Sequence, residues 1–390
     1  MPILATYIHH LDPIIVNIPG TPLALRWYGL AYVGGFILGY LVLQWLSGKK
    51  LYCVEKDKLG DYVTLICIFG VLMGGRLGEF FFYWLPEHGL SGFLADPTWV
   101  FRVWEGGMAS HGGIIGVILT AFWYAWKHKL SAAALIDGVA IVSPIGLFFG
   151  RVANFINGEL YGRVTDAANP LAMKFPQEIF ELAPQQQIQA VVAVEHAAGG
   201  SMRELALPGE VFFDTLSRLC RENPAVREAL GQFLNPRYPS QLFEAVGEGL
   251  LIFVALLTLR LLWRNAPAGI FCAAFAFLYA AARITCECFK QPDAGVWHGI
   301  TQGQALSIII AILGVFFLIY ALRGLKKQKN CGFYKKKTCN PPPVCVNCRR
   351  TLFRQSAKPR MGRFPSGQRG QTVNLLSYDF DGSNPSLPSS

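Results

Sequence analysis

The chain has 390 residues, of which 52% are hydrophobic and only 15% charged, against roughly 25% charged in ordinary soluble domains. That balance excludes a typical soluble domain and points to an all-α polytopic membrane protein. The net charge of +10 is misleading: from residue 323 onward 14 Lys/Arg face 2 Asp/Glu, which leaves the first 322 residues at −2. No nucleic-acid motif accompanies the basic surplus, so no nucleic-acid partner is expected.

The first residues, 1–20, lack a positive start and a small-residue cleavage site, so no cleavable signal is expected. Seven apolar runs approach the ~20 residues a spanning helix needs. They cover about 28–46, 62–84, 112–126, 132–150, 242–263, 268–282 and 305–322. Lys49, Lys50, Lys56 and Lys58 follow the first run, Lys127 and Lys129 the third, Arg264 the fifth, and Arg323, Lys326, Lys327 and Lys329 the seventh. The alternate loops are poor in Lys and Arg. The positive-inside rule then puts the N-terminus outside and the C-terminus in the cytoplasm.

Residues 163–238 form the one large non-membrane segment ahead of the tail and fall on the outer side. Within them, 187–196 and 208–233 show helical spacing, with Phe212, Leu216 and Leu219 on one face. A small helical cap in the periplasm is expected. Residues 326–390 are basic, carry Pro341-Pro342-Pro343 and no apolar period, and read as a disordered tail. Its end reads like translation through a transfer-RNA gene. Its four cysteines include one Cys-x-x-Cys pair but lack the second ligand pair of a zinc site, so no metal is assigned. Cys67, Cys272, Cys286 and Cys288 sit in or beside apolar runs, as small hydrophobes do.

The chemistry concentrates after the fourth run, in Gly150-Arg-Val-Ala-Asn-Phe-Ile-Asn-Gly-Glu-Leu-Tyr-Gly162. A charged, amide-rich segment beside hydrocarbon is expensive unless it faces a polar cavity or a partner. Arg151, Asn154 and Gly158 share one face of a continuing helix. Arginine offers a permanently charged fork suited to phosphate. Asn154 and Asn157 add neutral donors, and Glu159 can hold Arg151; the plain alternative is an Arg151–Glu159 ion pair that only closes a helix end.

Tyr279, Arg283 and Glu287 repeat the pattern on the sixth run, at the same outer level. Arg283 reads equally as a second anion ligand and as a snorkelling helix-end arginine. His111, bracketed by Gly106-Gly107 and Gly112-Gly113, can take a proton from a thiol or hydroxyl, or serve as a hydrogen-bonded interfacial group. Arg76 in Gly74-Gly75-Arg76 adds another charge at outer or middle depth. Tyr28 in Arg26-Trp27-Tyr28 is an interfacial anchor or a site residue. Gln304 is equally open. From the residues alone three classes compete: a lipid-processing enzyme, a transporter lined by arginines, and a non-catalytic lipid-binding scaffold.

The 150–162 segment meets every fixed position of the pattern Gly-Arg-x-(Gly/Ala)-Asn-Phe-(apolar)-Asn-x-Glu-x-x-Gly, and so resembles the bacterial prolipoprotein diacylglyceryl transferases. The resemblance spans residues 8–325. It includes Trp27-Tyr28-Gly29-Leu30, Gly74-Gly75-Arg76, Phe101-Arg102-Val103-Trp104, His111-Gly112-Gly113, Pro239-Ser240-Gln241-Leu242, Gln291-Pro292-Asp293 and Gly303-Gln304.

The resemblance implies seven transmembrane helices in the bacterial inner membrane, with the N-terminus outside and the site toward the periplasmic leaflet. It implies transfer of the diacylglyceryl group of phosphatidylglycerol to the lipobox cysteine of a prolipoprotein, without a metal or organic cofactor. The arginines matching Arg151 and Arg283 are then the essential pair on the lipid phosphate, and His111 the base for the thiol. Tyr28, Tyr279, Asn154 and Gly162 are further site residues, joined by Glu159 and Arg76. The family usually reads His-Pro-Ser-Gln-Leu-Tyr where this chain reads Tyr238-Pro-Ser-Gln-Leu-Phe243, so no role is carried to Tyr238 or Phe243.

Overall fold

The computed structural model describes residues 6–17, 24–102, 107–207, 210–292 and 300–332. The expected tail beyond 332 lies outside the described residues, as does Asp293. Ten helices organise the rest: α1 (Trp27–Gly48), α2 (Leu59–Ala95), α3 (Ser110–His128), α4 (Ala132–Asn157), α5 (Pro184–Ala198), α6 (Phe212–Glu222), α7 (Pro224–Gly231), α8 (Ser240–Leu262), α9 (Ile270–Glu287) and α10 (Gln302–Gly332). Two short pairings complete the set: strand Tyr7–Ile8 runs parallel to Met173–Lys174, and Ile14–Asn17 antiparallel to Ala24–Arg26.

Six of these helices, α1, α2, α4, α8, α9 and α10, are long and apolar enough to cross a membrane. The third expected run does form a helix, α3, of 19 residues, but its His, Gly and aromatic content keeps it outside that six. Most bounds differ from the apolar runs because the helices continue into polar sequence. Helix α4 runs on past 150 through Asn157 and closes on Gly158 in the left-handed region (φ 71°), where glycine carries no Cβ penalty. The segment 150–157 is therefore the last two turns of a membrane helix rather than a loop beyond one.

Local chemistry explains how α4 holds together. Ser131 caps its start by accepting from the Ala134 amide. Pro144 removes the donor that would reach the Ala140 carbonyl, and the Ser143 hydroxyl donates to that carbonyl instead, at 3.4 Å. Near the same start of α4, Asp137 accepts from the Gly269 and Cys272 amides at 2.7 and 2.9 Å, capping α9 from a different helix.

Glycines set the helix crossings. A Cβ on Gly74 would sit 2.7 Å from the Gly112 carbonyl oxygen, and one on Gly112 would sit 2.3 Å from that of Gly74. Helices α2 and α3 meet backbone to backbone here, as small residues permit between membrane helices. The glycine after His111 thus serves helix packing rather than the approach of a ligand.

The 187–196 and 208–233 segments are helical where described, as their spacing suggests, and pack into a small helical unit, the cap. Leu216 and Leu219 are buried with Ile179, Ala190, Val194, Val226 and Leu230, while Phe212 stays at the surface. The cap is joined to the bundle where three chain segments converge on Gly162. Its amide donates to the Tyr238 carbonyl at 2.9 Å, and Gly162 bridges to Lys290. A Cβ there would lie 2.6 Å from the carbonyl oxygens of both Tyr238 and Phe289, so the residue must be glycine.

Candidate active site

Arg151 on α4 and Arg283 on α9 meet at a pair of carboxylates that the sequence reading overlooked. Arg151 Nε lies 2.8 Å from Glu244 Oε2, and its Nη2 lies 3.7 Å from Glu248 Oε2. Arg283 Nη1 donates to Glu244 Oε1 at 3.1 Å and to Glu248 Oε1 at 3.2 Å, and its Nη2 reaches Glu287 Oε2 at 3.2 Å. Glu244 and Glu248 sit on α8, where the helix loosens into π-helical geometry over Ala245–Leu251. Such turns are frequent at functional sites.

Exposure separates the two signs of charge. The Arg151 and Arg283 side chains retain 18% and 12% of their accessible surface, whereas Glu244 and Glu248 retain none. The cations front an accessible space and the anions back them. Tyr279, one turn before Arg283, stacks on Phe275 with ring centroids 5.6 Å apart and lies in the field of Glu248 and Arg283. Tyr28 is one ring away from the same group: its ring centroid is 5.3 Å from that of Tyr32, which lies in the field of Arg151 and Glu159.

Glu159 does not pair with Arg151. Its Oε1 accepts from Asn154 Nδ2 at 2.9 Å and from Asn157 Nδ2 at 3.3 Å. Buried Asn154 is thereby committed to the turn after α4 rather than aimed at a ligand. The Pro239-Ser240-Gln241 stretch grips the same turn. Ser240 Oγ donates to the Leu160 carbonyl at 3.2 Å and Gln241 Nε2 to that of Glu159 at 2.7 Å. Both side chains are fully buried.

Arg76 is held elsewhere. Its guanidinium donates to the carbonyls of Trp99, Val100, Arg102 and Gly107 at 2.6 to 3.0 Å. It is buried, and it organises the loop between α2 and α3. His111 is exposed in the first turn of α3, and nothing among the described residues hydrogen-bonds its ring. Gln304 is a helix cap: its Oε1 accepts from the Thr301 amide and Thr301 Oγ1 accepts from the Gln304 amide, each at 3.2 Å.

Behind the turn after α4 lies a second buried cation, Arg237. It pairs with Glu178 at 2.8 Å and Glu181 at 3.2 Å, hydrogen-bonds the Gly162 carbonyl and Gln291, and lies 4.8 Å from the Tyr161 ring centroid. Burial and the hydrogen-bonded Glu181 carboxylate hold the Tyr161 phenol well above its usual range. This group ties the cap to the end of α4.

The family model described as prolipoprotein diacylglyceryl transferase matches residues 13–320. The chain belongs to the prolipoprotein diacylglyceryl transferase family. The chain is 40% identical over 333 residues to a phosphatidylglycerol--prolipoprotein diacylglyceryl transferase of Bdellovibrio bacteriovorus, covering 80% of this chain and 93% of that protein. A protein of the same description from Bradyrhizobium diazoefficiens is 33% identical, covering 83% and 96%. One from Neisseria gonorrhoeae is 36% identical, covering 82% and 98%. Membership of the transferase family makes the chain an enzyme.

Of the transferase residues singled out in the sequence, Arg151, Arg283 and Tyr279 gather around Glu244 and Glu248. Tyr28 approaches them through Tyr32, Asn154 and Glu159 form the adjoining turn, and Gly162 closes it. Arg76 and His111 make no contact with this cluster among the described residues. Glu244 and Glu248 had a readable signal: two acids four residues apart inside an apolar run, each expensive in hydrocarbon without a partner. Arg237 had none, because its partners are distant in sequence.

Proposed function

We propose that the chain transfers the diacylglyceryl group of phosphatidylglycerol to the thiol of a prolipoprotein lipobox cysteine. The observation that carries this is the convergence of Arg151 and Arg283 from two different helices, both partly accessible and backed by buried carboxylates. Two forks at one point suit a phosphodiester, which accepts bidentate, charge-assisted hydrogen bonds. Family membership supplies the reaction in which such a phosphate leaves.

In the chemistry the cysteine sulfur bonds to the glyceryl carbon that carries the phosphate. The carbon–oxygen bond breaks, and glycerol phosphate departs with the electron pair. Arg151 and Arg283 stabilise the charge that grows on the leaving phosphate, which preorganised donors in a low-dielectric site do well. The competent nucleophile is the thiolate, and free cysteine is mostly protonated near neutral pH. His111, exposed at the start of α3, takes the thiol proton. Tyr28 and Tyr279 line the lipid headgroup. Asn154, Glu159 and Gly162 fix the turn that aims Arg151. Arg76 anchors the neighbouring loop and so shapes the approach to the site.

The chain sits in the inner membrane as seven spans, α3 being the seventh. At 19 residues α3 is about 28 Å long, close to the hydrocarbon thickness, and Ile114, Ile115, Leu119 and Phe122 are exposed along it. The lysines and arginines of alternate short loops favour an outer N-terminus, a periplasmic cap and an outer site. Residues 1–325 form the enzyme and 326–390 an appendage without a part in the reaction.

The test is lipidation of a lipobox peptide by purified protein with phosphatidylglycerol, read as the peptide mass gain and released glycerol phosphate. Arg151→Ala and Arg283→Ala are expected to abolish both signals, and His111→Ala to slow thioether formation while lipid binding persists. Full activity in Arg151→Ala would remove the clamp from the mechanism.

A further inference from the structure

Three buried acids face two arginines at the clamp: Glu244, Glu248 and Glu287 against Arg151 and Arg283. The two arginines are already matched by carboxylates before any lipid arrives. A phosphodiester entering the clamp adds an uncompensated negative charge at a site of low dielectric, where unpaired charge is strongly unfavourable. Either the phosphate binds weakly or one carboxylate gives way.

The geometry says which. Glu244 lies close to both arginines, at 2.8 and 3.1 Å, whereas Glu248 is 3.7 Å from Arg151 and 3.2 Å from Arg283. Neither Glu244 Oε2 nor Glu248 Oε2 receives an aligned hydrogen bond, so distance separates them: at 3.7 Å the hold of Glu248 on Arg151 is the looser charge contact. Both arginine side chains keep part of their surface accessible, 18% for Arg151 and 12% for Arg283, while the two carboxylates behind them have none.

We propose that Glu244 and Glu248 are positioning residues with divided tasks, resting on the lipid-transfer reading given above. Glu244 fixes the two arginines relative to each other. Glu248 is an exchangeable counter-ion: the lipid phosphate takes its place on the arginines, and its return expels the doubly charged glycerol phosphate once the carbon–oxygen bond has broken. The tendency of Glu248 to reclaim the arginines weakens anion binding and speeds turnover. An enzyme that held its charged product tightly would stall.

Glycerol phosphate binding by titration calorimetry reads this without turnover. Glu248→Gln keeps the shape and removes the competing charge. It should tighten glycerol phosphate binding by about tenfold, equal to ~1.4 kcal/mol. In the lipidation assay the same variant should show a lower KM for phosphatidylglycerol, a lower kcat and stronger product inhibition. A role in folding alone would lower activity without tightening the anion. Where Glu248→Gln loses its melting transition, Glu248→Asp decides: its carboxylate is drawn back by one methylene, and a smaller tightening is expected. Unchanged or weaker glycerol phosphate binding, in whichever variant melts like the wild type, overturns the proposal. A wild-type protein that forms no thioether while Glu248→Gln still tightens anion binding refutes the transfer reading and leaves the counter-ion exchange standing.

Discussion

Arg76 lies 3.9 Å from the centroid of the Trp99 ring, and its Nη2 donates to the Trp99 carbonyl at 2.6 Å. One residue therefore grips a loop by both its side-chain face and its backbone. Lysine cannot reproduce a planar fork that serves four carbonyls. Arg76→Lys should lower stability by about 2–4 kcal/mol, since hydrogen bonds from charged donors are worth roughly 1.5–3 kcal/mol each. Thermal melting in detergent checks the loss. Faster proteolysis within 97–107 would locate it.

Backbone contact between α2 and α3 gives a sharper steric prediction. A methyl at Gly112 would sit 2.3 Å from the Gly74 carbonyl oxygen and 2.5 Å from the Gly78 Cα. Neither atom belongs to a flexible side chain, so the helices must separate. Gly112→Ala is expected to destabilise by about 1–3 kcal/mol. Gly113→Ala, whose nearest such contact is 3.9 Å, should melt close to the wild type in the same measurement.

Asn154 and Glu159 provide a test of polarity. The amide donates to the carboxylate at 2.9 Å, so Asn154→Asp would oppose two acids across a hydrogen-bond distance. Activity should fall sharply. The double change Asn154→Asp with Glu159→Gln reverses donor and acceptor and should recover a large part of it. Coupling of about 1–3 kcal/mol is expected in the double-mutant cycle, measured on kcat/KM. Additive losses would mean that the pair does not act as a unit.

His9 makes the fold around the strand pairing of Tyr7–Ile8 with Met173–Lys174 sensitive to acid. Burial, opposed by a backbone hydrogen bond at Phe155, holds its imidazole down at about 4, and the ring lies 5.6 Å from Phe175. An unfolded chain would protonate near the usual ~6.5. Above that value His9 is neutral in both states and has no effect on pH dependence. As pH falls from ~6.5 toward 4 the unfolded chain binds a proton that the folded chain refuses, and stability drops by up to about 3 kcal/mol. Melting temperatures between pH 4 and 7.5 should show this slope, and His9→Phe should flatten it.

Much of the bundle was legible because apolar length and loop charge act locally along the chain. The expected runs correspond to six long apolar helices and to the shorter α3, and the cap helices follow the spacing of Leu216 and Leu219. The site was half legible. Arg151 and Arg283 announced themselves by their charge in an apolar setting. Their carboxylate partners were harder to see, since Glu244 stands next to a motif residue and Glu248 inside a run read only for hydrophobicity. The assignment of Glu159 to Arg151 failed because two amides, Asn154 and Asn157, reach that carboxylate from the last turns of α4. The partners of Arg76 were not legible, because they are carbonyls of a loop 23 to 31 residues away.

Gly162 joins the turn that ends α4, the entry to α8 and the exit of α9, which carry Arg151, Glu244 and Arg283 respectively. Any displacement of that junction moves all three helix ends at once, so their spacing is inherited from one knot of backbone. The helices Pro184–Ala198 and Pro224–Gly231, with Val192 and Ala229, take no part in the hydrogen bonds of that knot. Insertions or deletions there can lengthen or shorten that segment while the distance between the two guanidiniums stays fixed. Substrate preference and reaction geometry can therefore diverge independently in this architecture.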